Sequence, residues 1–224
     1  MKLTERLMTI LDVIGKCDVI ADIGTDHGYI PIYCVKNNMA EKAIACDVNQ
    51  GPLDIAKDNI KKYDLEDKIS VRLSDGLKGL KRSEADVIVI AGMGGLLINS
   101  ILEDGKDVVD FSSRLILQPM IAVKEVRKYL YDNGYEITKE KIAKEGQKLY
   151  NIIEARKTGK KLTYDEFDIV VGRYLSEQKD ELFEPYVRAK MYTLQKIIDG
   201  ISASKDKEGL EEYIKELELF KKVL

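Results

Sequence analysis

The stretch ADIGTDHGYIPIY, residues 21–33, decides how the rest of the chain is read. It closes a short β-branched run, VIADIG (19–24), bends through Gly24 and Gly28, and passes into a helical pattern. A strand, a glycine-bearing turn and a helix in that order open many α/β folds that bind a nucleoside ligand. Such a turn in a dinucleotide dehydrogenase carries GxGxxG directly after the strand, because its backbone must lie against a pyrophosphate at a helix amino terminus. Here the spacing is DxGxxxG, with Asp22 ahead of Gly24 and with Asp26 and His27 inside the bend. A carboxylate in that place repels a diphosphate.

The same carboxylate is harmless beside S-adenosylmethionine, whose sulfonium and ammonium are positive and which has no phosphate. The acidic turn therefore favours the sulfonium donor over a nicotinamide cofactor. Asp47 closes a second strand candidate, KAIACDV (42–48), where the ribose hydroxyls of a nucleoside would lie. Asp75 closes a third, ISVRLSD (69–75), where an acceptor can meet the adenine amino group while Gly76 lets the ring lie close. An aspartate at one strand end is also an ordinary turn or cap residue; three in succession form a constellation.

Further strand candidates are ADVIVIAG (85–92), RLILQP (114–119), YEITKEKIAK (135–144) and LYNIIEAR (149–156). Between them lie helical patterns such as 51–64, with Leu53, Ile55, Ala56 and Ile60 on its apolar positions, and 94–105, stopped by Gly105. This alternation predicts an α/β, doubly wound, seven-stranded Rossmann-like sheet, its last two strands forming an antiparallel hairpin at the edge. The fourth strand runs into AGMGG (91–95). Gly92, Gly94 and Gly95 remove side chains where the cofactor's methyl group and the incoming nucleophile must meet, Ala91, Gly92 and Gly94 are expected to bind the cofactor, and Gly94 and Gly95 begin a helix whose amides are expected to be free for a negative group. No NPPY-type segment follows this strand, so the nucleophile is expected to differ from the exocyclic amines such a segment holds.

The linker GKKLTYDE (159–166) separates this region from a helical tail. We expect a methyltransferase domain over 1–160 and a helical coiled-coil hairpin over 161–224. Its helices lie at 180–201 and 209–224 around the polar turn SASKDKE, with Leu210, Ile214, Leu217, Phe220 and Leu224 on one stripe.

Apolar residues make up 45% and charged residues 33% of 224, a globular balance, and no apolar run is long enough to span a bilayer. The amino terminus lacks the features of a secretory signal, so the cytoplasm is expected. Cys17, Cys34 and Cys46 follow no metal-binding spacing, and with one histidine in the chain no metal is expected. The net charge of -3 gives no global attraction to nucleic acid. Residues 120–160 are the most basic stretch, with ten Lys or Arg against six Asp or Glu.

ADIGTDHGYIP, together with IAGMGG and LILQP, resembles the bacterial tRNA (adenine-22-N1)-methyltransferase family across essentially the whole chain. Asp26 and His27 make the resemblance specific, since the general methyltransferase pattern carries glycine where Asp26 stands. The resemblance implies S-adenosylmethionine as donor and tRNA as acceptor; no membrane partner is expected, and the chain is expected to act as a monomer or weak homodimer. Adenine N1 holds its lone pair in the ring plane and needs no base to free it. On this reading Asp26 accepts a hydrogen bond from the exocyclic amino group and stabilises the cation that forms, while His27 and Tyr29 flank the base. Arg6, in the leading LTERL, is expected to contact phosphate or close over the site. Residue patterns alone leave open a methyltransferase for another nucleic acid or a small nucleophile, or a nucleoside-binding module without turnover.

Overall fold

A computed structural model describes residues 1, 3–204 and 206–224; Lys205, in the expected tail turn, lies outside the described residues. Two compact units divide the chain, Met1–Thr163 and Tyr164–Leu224.

The first unit is built on a seven-stranded sheet. Its strands are β1 (Val19–Ile23), β2 (Lys42–Asp47), β3 (Ile69–Leu73), β4 (Val87–Met93), β5 (Arg114–Pro119), β6 (Tyr135–Glu145) and β7 (Lys148–Lys157). The order across the sheet is β3-β2-β1-β4-β5-β7-β6. All neighbours are parallel up to β5; β7 runs antiparallel to both β5 and β6, so six strands share one direction and β7 alone is reversed. The central strands form because their apolar runs are continuous: Ile20, Ala21, Ile23, Val87, Ile88, Val89 and Ile90 are all buried, as a sheet covered on both faces requires. The chain leaves β1 toward β2 on one side and later returns to β4 on the other. That reversal puts the topological switch point at the carboxyl ends of β1 and β4, where α/β sheets place their ligands.

Helices α1 (Glu5–Ile14), α2 (Tyr29–Lys36), α3 (Gln50–Lys62), α4 (Gly95–Asp104) and α5 (Val123–Asp132) complete the unit. Thr4 caps α1, its hydroxyl accepting the Leu7 amide at 3.3 Å. Helix α3 buries Leu53, Ala56 and Ile60 as expected, but Ile55 is exposed, because two residues along a helix is about 200° around it. Gly105 ends α4. Arg127 on α5 is fully buried and paired with the equally buried Glu140 of β6 at 2.8 Å. It therefore adds nothing to a basic surface over 120–160. Cys34 and Cys46 are buried and Cys17 half-buried, with burial raising all three thiols, Cys17 and Cys46 to about 11.

The second unit holds α6 (Glu166–Val170), α7 (Arg173–Gln178), α8 (Phe183–Ala203) and α9 (Leu210–Lys221). Asp165 and Asp168 form a reciprocal cap at the start of α6, and Asp168 also takes two bonds from Arg173, at 2.7 and 2.9 Å. Tyr186, near the start of α8, meets Phe220, near the end of α9, with ring centroids 6.4 Å apart, so the two helices pack antiparallel. The expected stripe is displaced. Leu217 and Phe220 are buried, but Ile214 is exposed and Leu224 lies exposed beyond the helix end. The buried positions are Leu217, Phe220 and Val223, with Leu210 and Tyr213 half-buried ahead of them, at helical three- and four-residue steps. No helix among the described residues is long and apolar enough to cross a membrane.

Candidate active site

The turn after β1 is fixed from three sides. The amides of Gly24 and Thr25 both donate to the Cys46 carbonyl of β2, each at 2.8 Å. The Nδ2 of Asn59 on α3 donates to the His27 carbonyl at 3.0 Å. Met93 closes the third side: a Cβ at Gly24 would run into its terminal methyl, which would have to swing aside, and the backbone φ of +78° strains any other residue there.

Asp22 and Asp47 are drawn together at this turn, both nearly buried at 6% and 9% exposure. Burial raises the Asp22 carboxyl to about 6, the nearby Thr25 hydroxyl opposes that rise, and the negative charge of Asp47 adds to it. Thr25 Oγ1 is itself buried and completes no hydrogen bond of good geometry. One oxygen of Asp47 accepts the Asn49 amide at 2.8 Å, a turn bond that sets the entry to α3. Its other oxygen has no hydrogen bond among the described residues. The turn role and the ligand role expected of Asp47 thus use different oxygens.

Asp75 differs from these two. Its side chain is 69% exposed and pairs with Lys78 at 2.5 Å, so it forms the outer rim, next to Gly76 with its φ of +57°. Asp26 also faces outward, its side chain 79% exposed, with Oδ2 3.4 Å from Nε2 of His27. The rings of His27 and Tyr29 lie 5.2 Å apart and tilted by 39°. An accessible carboxylate beside two aromatic faces thus stands in the turn after β1, while a buried carboxylate lies on each of the neighbouring strands β1 and β2.

The AGMGG segment departs from expectation at one point. Gly95 does not offer a free amide, because its N–H donates to the Ile121 carbonyl at 3.0 Å while Met120 N–H donates to the Met93 carbonyl at 2.8 Å. These bonds join the turn after β4 to the turn after β5. A Cβ at Gly95 would come within 2.4 Å of the Ala122 carbonyl, which explains the glycine. Gly94 caps α4. Gly92 sits in a bulge, since β4 pairs with β5 at Ala91 and again at Met93 with a shift between them.

Arg6 turns inward. Its Nη1 donates to Gln118 Oε1 at 2.7 Å, its Nε donates to Glu145 at 3.1 Å, and the guanidinium lies 5.8 Å over the Tyr150 ring. Thr4 and Arg6 hold the Glu145 carboxyl below its usual range. Gln118, Glu145, Asn59 and Met93 were not singled out from the sequence. For Gln118 a signal existed, namely one amide in the otherwise apolar strand LILQP.

The strand order, the single reversed strand and a carboxylate-tipped glycine turn at the switch point define a Rossmann-like methyltransferase fold. The family described as TrmK, tRNA (adenine(22)-N(1))-methyltransferase, matches residues 20–222, and the chain belongs to that family. The tRNA (adenine(22)-N(1))-methyltransferase of Bacillus subtilis (strain 168) is 39% identical, over 100% of this chain and 98% of the relative. Its crystal structure superposes with a TM-score of 0.88, at 38% identity, covering 99% of this chain and 98% of that one. Two further structures contain ligands. A Streptococcus pneumoniae protein in complex with S-adenosyl-L-methionine has a TM-score of 0.88 at 29% identity, with 100% of both chains covered. M. capricolum TrmK in complex with S-adenosyl-homocysteine has a TM-score of 0.83 at 30% identity, covering 99% of this chain and 97% of that one.

Proposed function

We propose that this chain transfers a methyl group from S-adenosylmethionine to N1 of adenine 22 in tRNA. The observation that carries the reading is the division of labour among acids at one sheet edge. Asp22 and Asp47 are buried together, while Asp26 is accessible a few residues away.

The residues present fit the donor. Gly24 leaves the turn without a side chain, Asp47 keeps one oxygen for ribose hydroxyls, and Asp75 with Gly76 forms the rim where an adenine amino group would lie. Asp22 supplies a negative charge to the donor's cationic end. When bound, the donor offers a methyl carbon whose bond to sulfur breaks as adenine N1 bonds to it, the electron pair returning to sulfur. Asp26 accepts a hydrogen bond from the adenine amino group and stabilises the positive charge arriving on the ring. His27 and Tyr29 flank that ring. Ala91, Gly92 and Gly94 line the opposite side. Holding two reactants in line supplies about 7 to 11 kcal/mol of the barrier reduction. Arg6 has committed two donors inward, and its remaining Nη2 is the atom available to a tRNA phosphate.

We read residues 1–160 as the domain holding donor and base, and 161–224 as a helical coiled-coil hairpin that helps grip folded RNA. The antiparallel packing of α8 on α9 supports the second part. We further read the protein as cytoplasmic, acting as a monomer or weak homodimer without metal. The test is mass spectrometry of nucleosides from unmodified tRNA incubated with protein and donor, with the position mapped by a primer-extension stop. 1-Methyladenosine at position 22 is expected; methylation elsewhere, or none, overturns the reading.

A further inference from the structure

The bulge in β4 leaves Gly92 without a partner on β5, and its amide finds an acceptor in a side chain. Gln118 Oε1 accepts Gly92 N–H at 3.2 Å and Arg6 Nη1 at 2.7 Å. Gln118 Nε2 donates to the Pro119 carbonyl at 3.1 Å and approaches Met120 Sδ at 3.5 Å. The side chain is wholly buried. Its orientation is determined by its neighbours, since two donors require oxygen on one side and a carbonyl requires the amide nitrogen on the other.

This arrangement has a geometric result. The Ala91–Gly92 peptide is trans, so its carbonyl points opposite to its N–H. Holding the N–H toward Gln118 on the β5 side turns the Ala91 carbonyl toward the β1 side, where Ile23 pairs with Ile90 one residue earlier and the Gly24 turn begins. A carbonyl there is an acceptor for a cationic group. We propose that Gln118 is a positioning residue: through the Gly92 amide it aims the Ala91 carbonyl at the ammonium end of the donor, and Arg6, anchored by Glu145, holds Gln118 in that pose. The inference rests on the donor assignment above and concerns a residue that assignment does not use.

Calorimetry on the full chain tests it with two probes, S-adenosylhomocysteine and 5′-methylthioadenosine, which keeps the nucleoside but lacks the amino-acid part. Gln118→Leu is expected to weaken S-adenosylhomocysteine about tenfold and 5′-methylthioadenosine less than twofold. Should the leucine variant fail to fold by circular dichroism, Gln118→Asn withdraws the oxygen by one methylene and should show the same split. Unchanged S-adenosylhomocysteine binding, or equal losses for both probes, overturns the proposal. Failure of the unaltered protein to bind S-adenosylhomocysteine overturns the donor assignment instead, so the two failures are distinct.

Discussion

His27 Nε2 and Asp26 Oδ2 stand 3.4 Å apart at the mouth of the turn after β1, the imidazole one-third exposed and the carboxylate almost fully so. An acid this accessible is weakly tied to its neighbour and free to engage an incoming base. Asp26→Ala should leave the donor dissociation constant within severalfold and reduce methyl transfer about 100-fold or more, as loss of a group that stabilises developing charge does. Single-turnover kinetics with saturating donor would measure this, and a variant retaining most of its rate would remove Asp26 from the chemistry.

Asp22 gives a pH signature. Its folded pKa, raised to about 6 by burial, exceeds the ordinary value of 3.8, so between those values the folded state binds more protons than the unfolded one. Stability therefore falls as pH rises through that window, by up to about 3 kcal/mol. Binding of a positively charged donor should move the opposite way and tighten as pH rises through about 6. Asp22→Asn should flatten both trends in melting curves and titrations between pH 4 and pH 7.

Asp47 separates its two roles by substitution. Asp47→Asn keeps an oxygen for the Asn49 amide but removes the charge, whereas Asp47→Ala removes both. A charged hydrogen bond to ribose contributes about 1.5 to 3 kcal/mol, so the alanine variant should bind donor at least tenfold more weakly and the asparagine variant should fall between. Equal affinity in all three would show that the ribose lies elsewhere.

Gly24 and Met93 should prove coupled. Gly24→Ala meets both the Met93 methyl and a positive φ, and should cost more than the roughly 1 kcal/mol typical of a misplaced alanine. Pairing it with Met93→Ala relieves only the steric part, so denaturant unfolding of the double variant should show a smaller combined loss than the two single losses summed.

Arg127 and Glu140 test the basic stretch. Loss of either partner alone should destabilise the first unit by about 3 to 5 kcal/mol, while Arg127→Met with Glu140→Leu should recover much of that. Neither change should alter the salt dependence of tRNA binding, because the charge is not at the surface.

Much of this was legible in sequence because it is local. Central strands such as β4 announce themselves by unbroken apolar runs, and Asp22, Asp47 and Asp75 are recognisable by standing at or just past strand ends. Burial then separates the three, which a linear pattern does not encode. Contacts that join distant residues were illegible for the same reason. Arg6 reaches Gln118 across 112 positions and Glu145 across 139, and Gly95 gives its amide to a turn 26 residues away. In α9 the expected stripe includes the buried Leu217 and Phe220 but also the exposed Ile214 and Leu224, since packing against α8 selects side chains by their angle around the axis.

The two bonds that stitch Met93 to Met120 and Gly95 to Ile121 make a pair of bends inherit as one part. Lengthening either bend would undo both stitches and orphan four backbone groups. Descendants of this chain that come to prefer a different acceptor must therefore do so by exchanging side chains on a frame of constant length, and not by grafting new loops onto it.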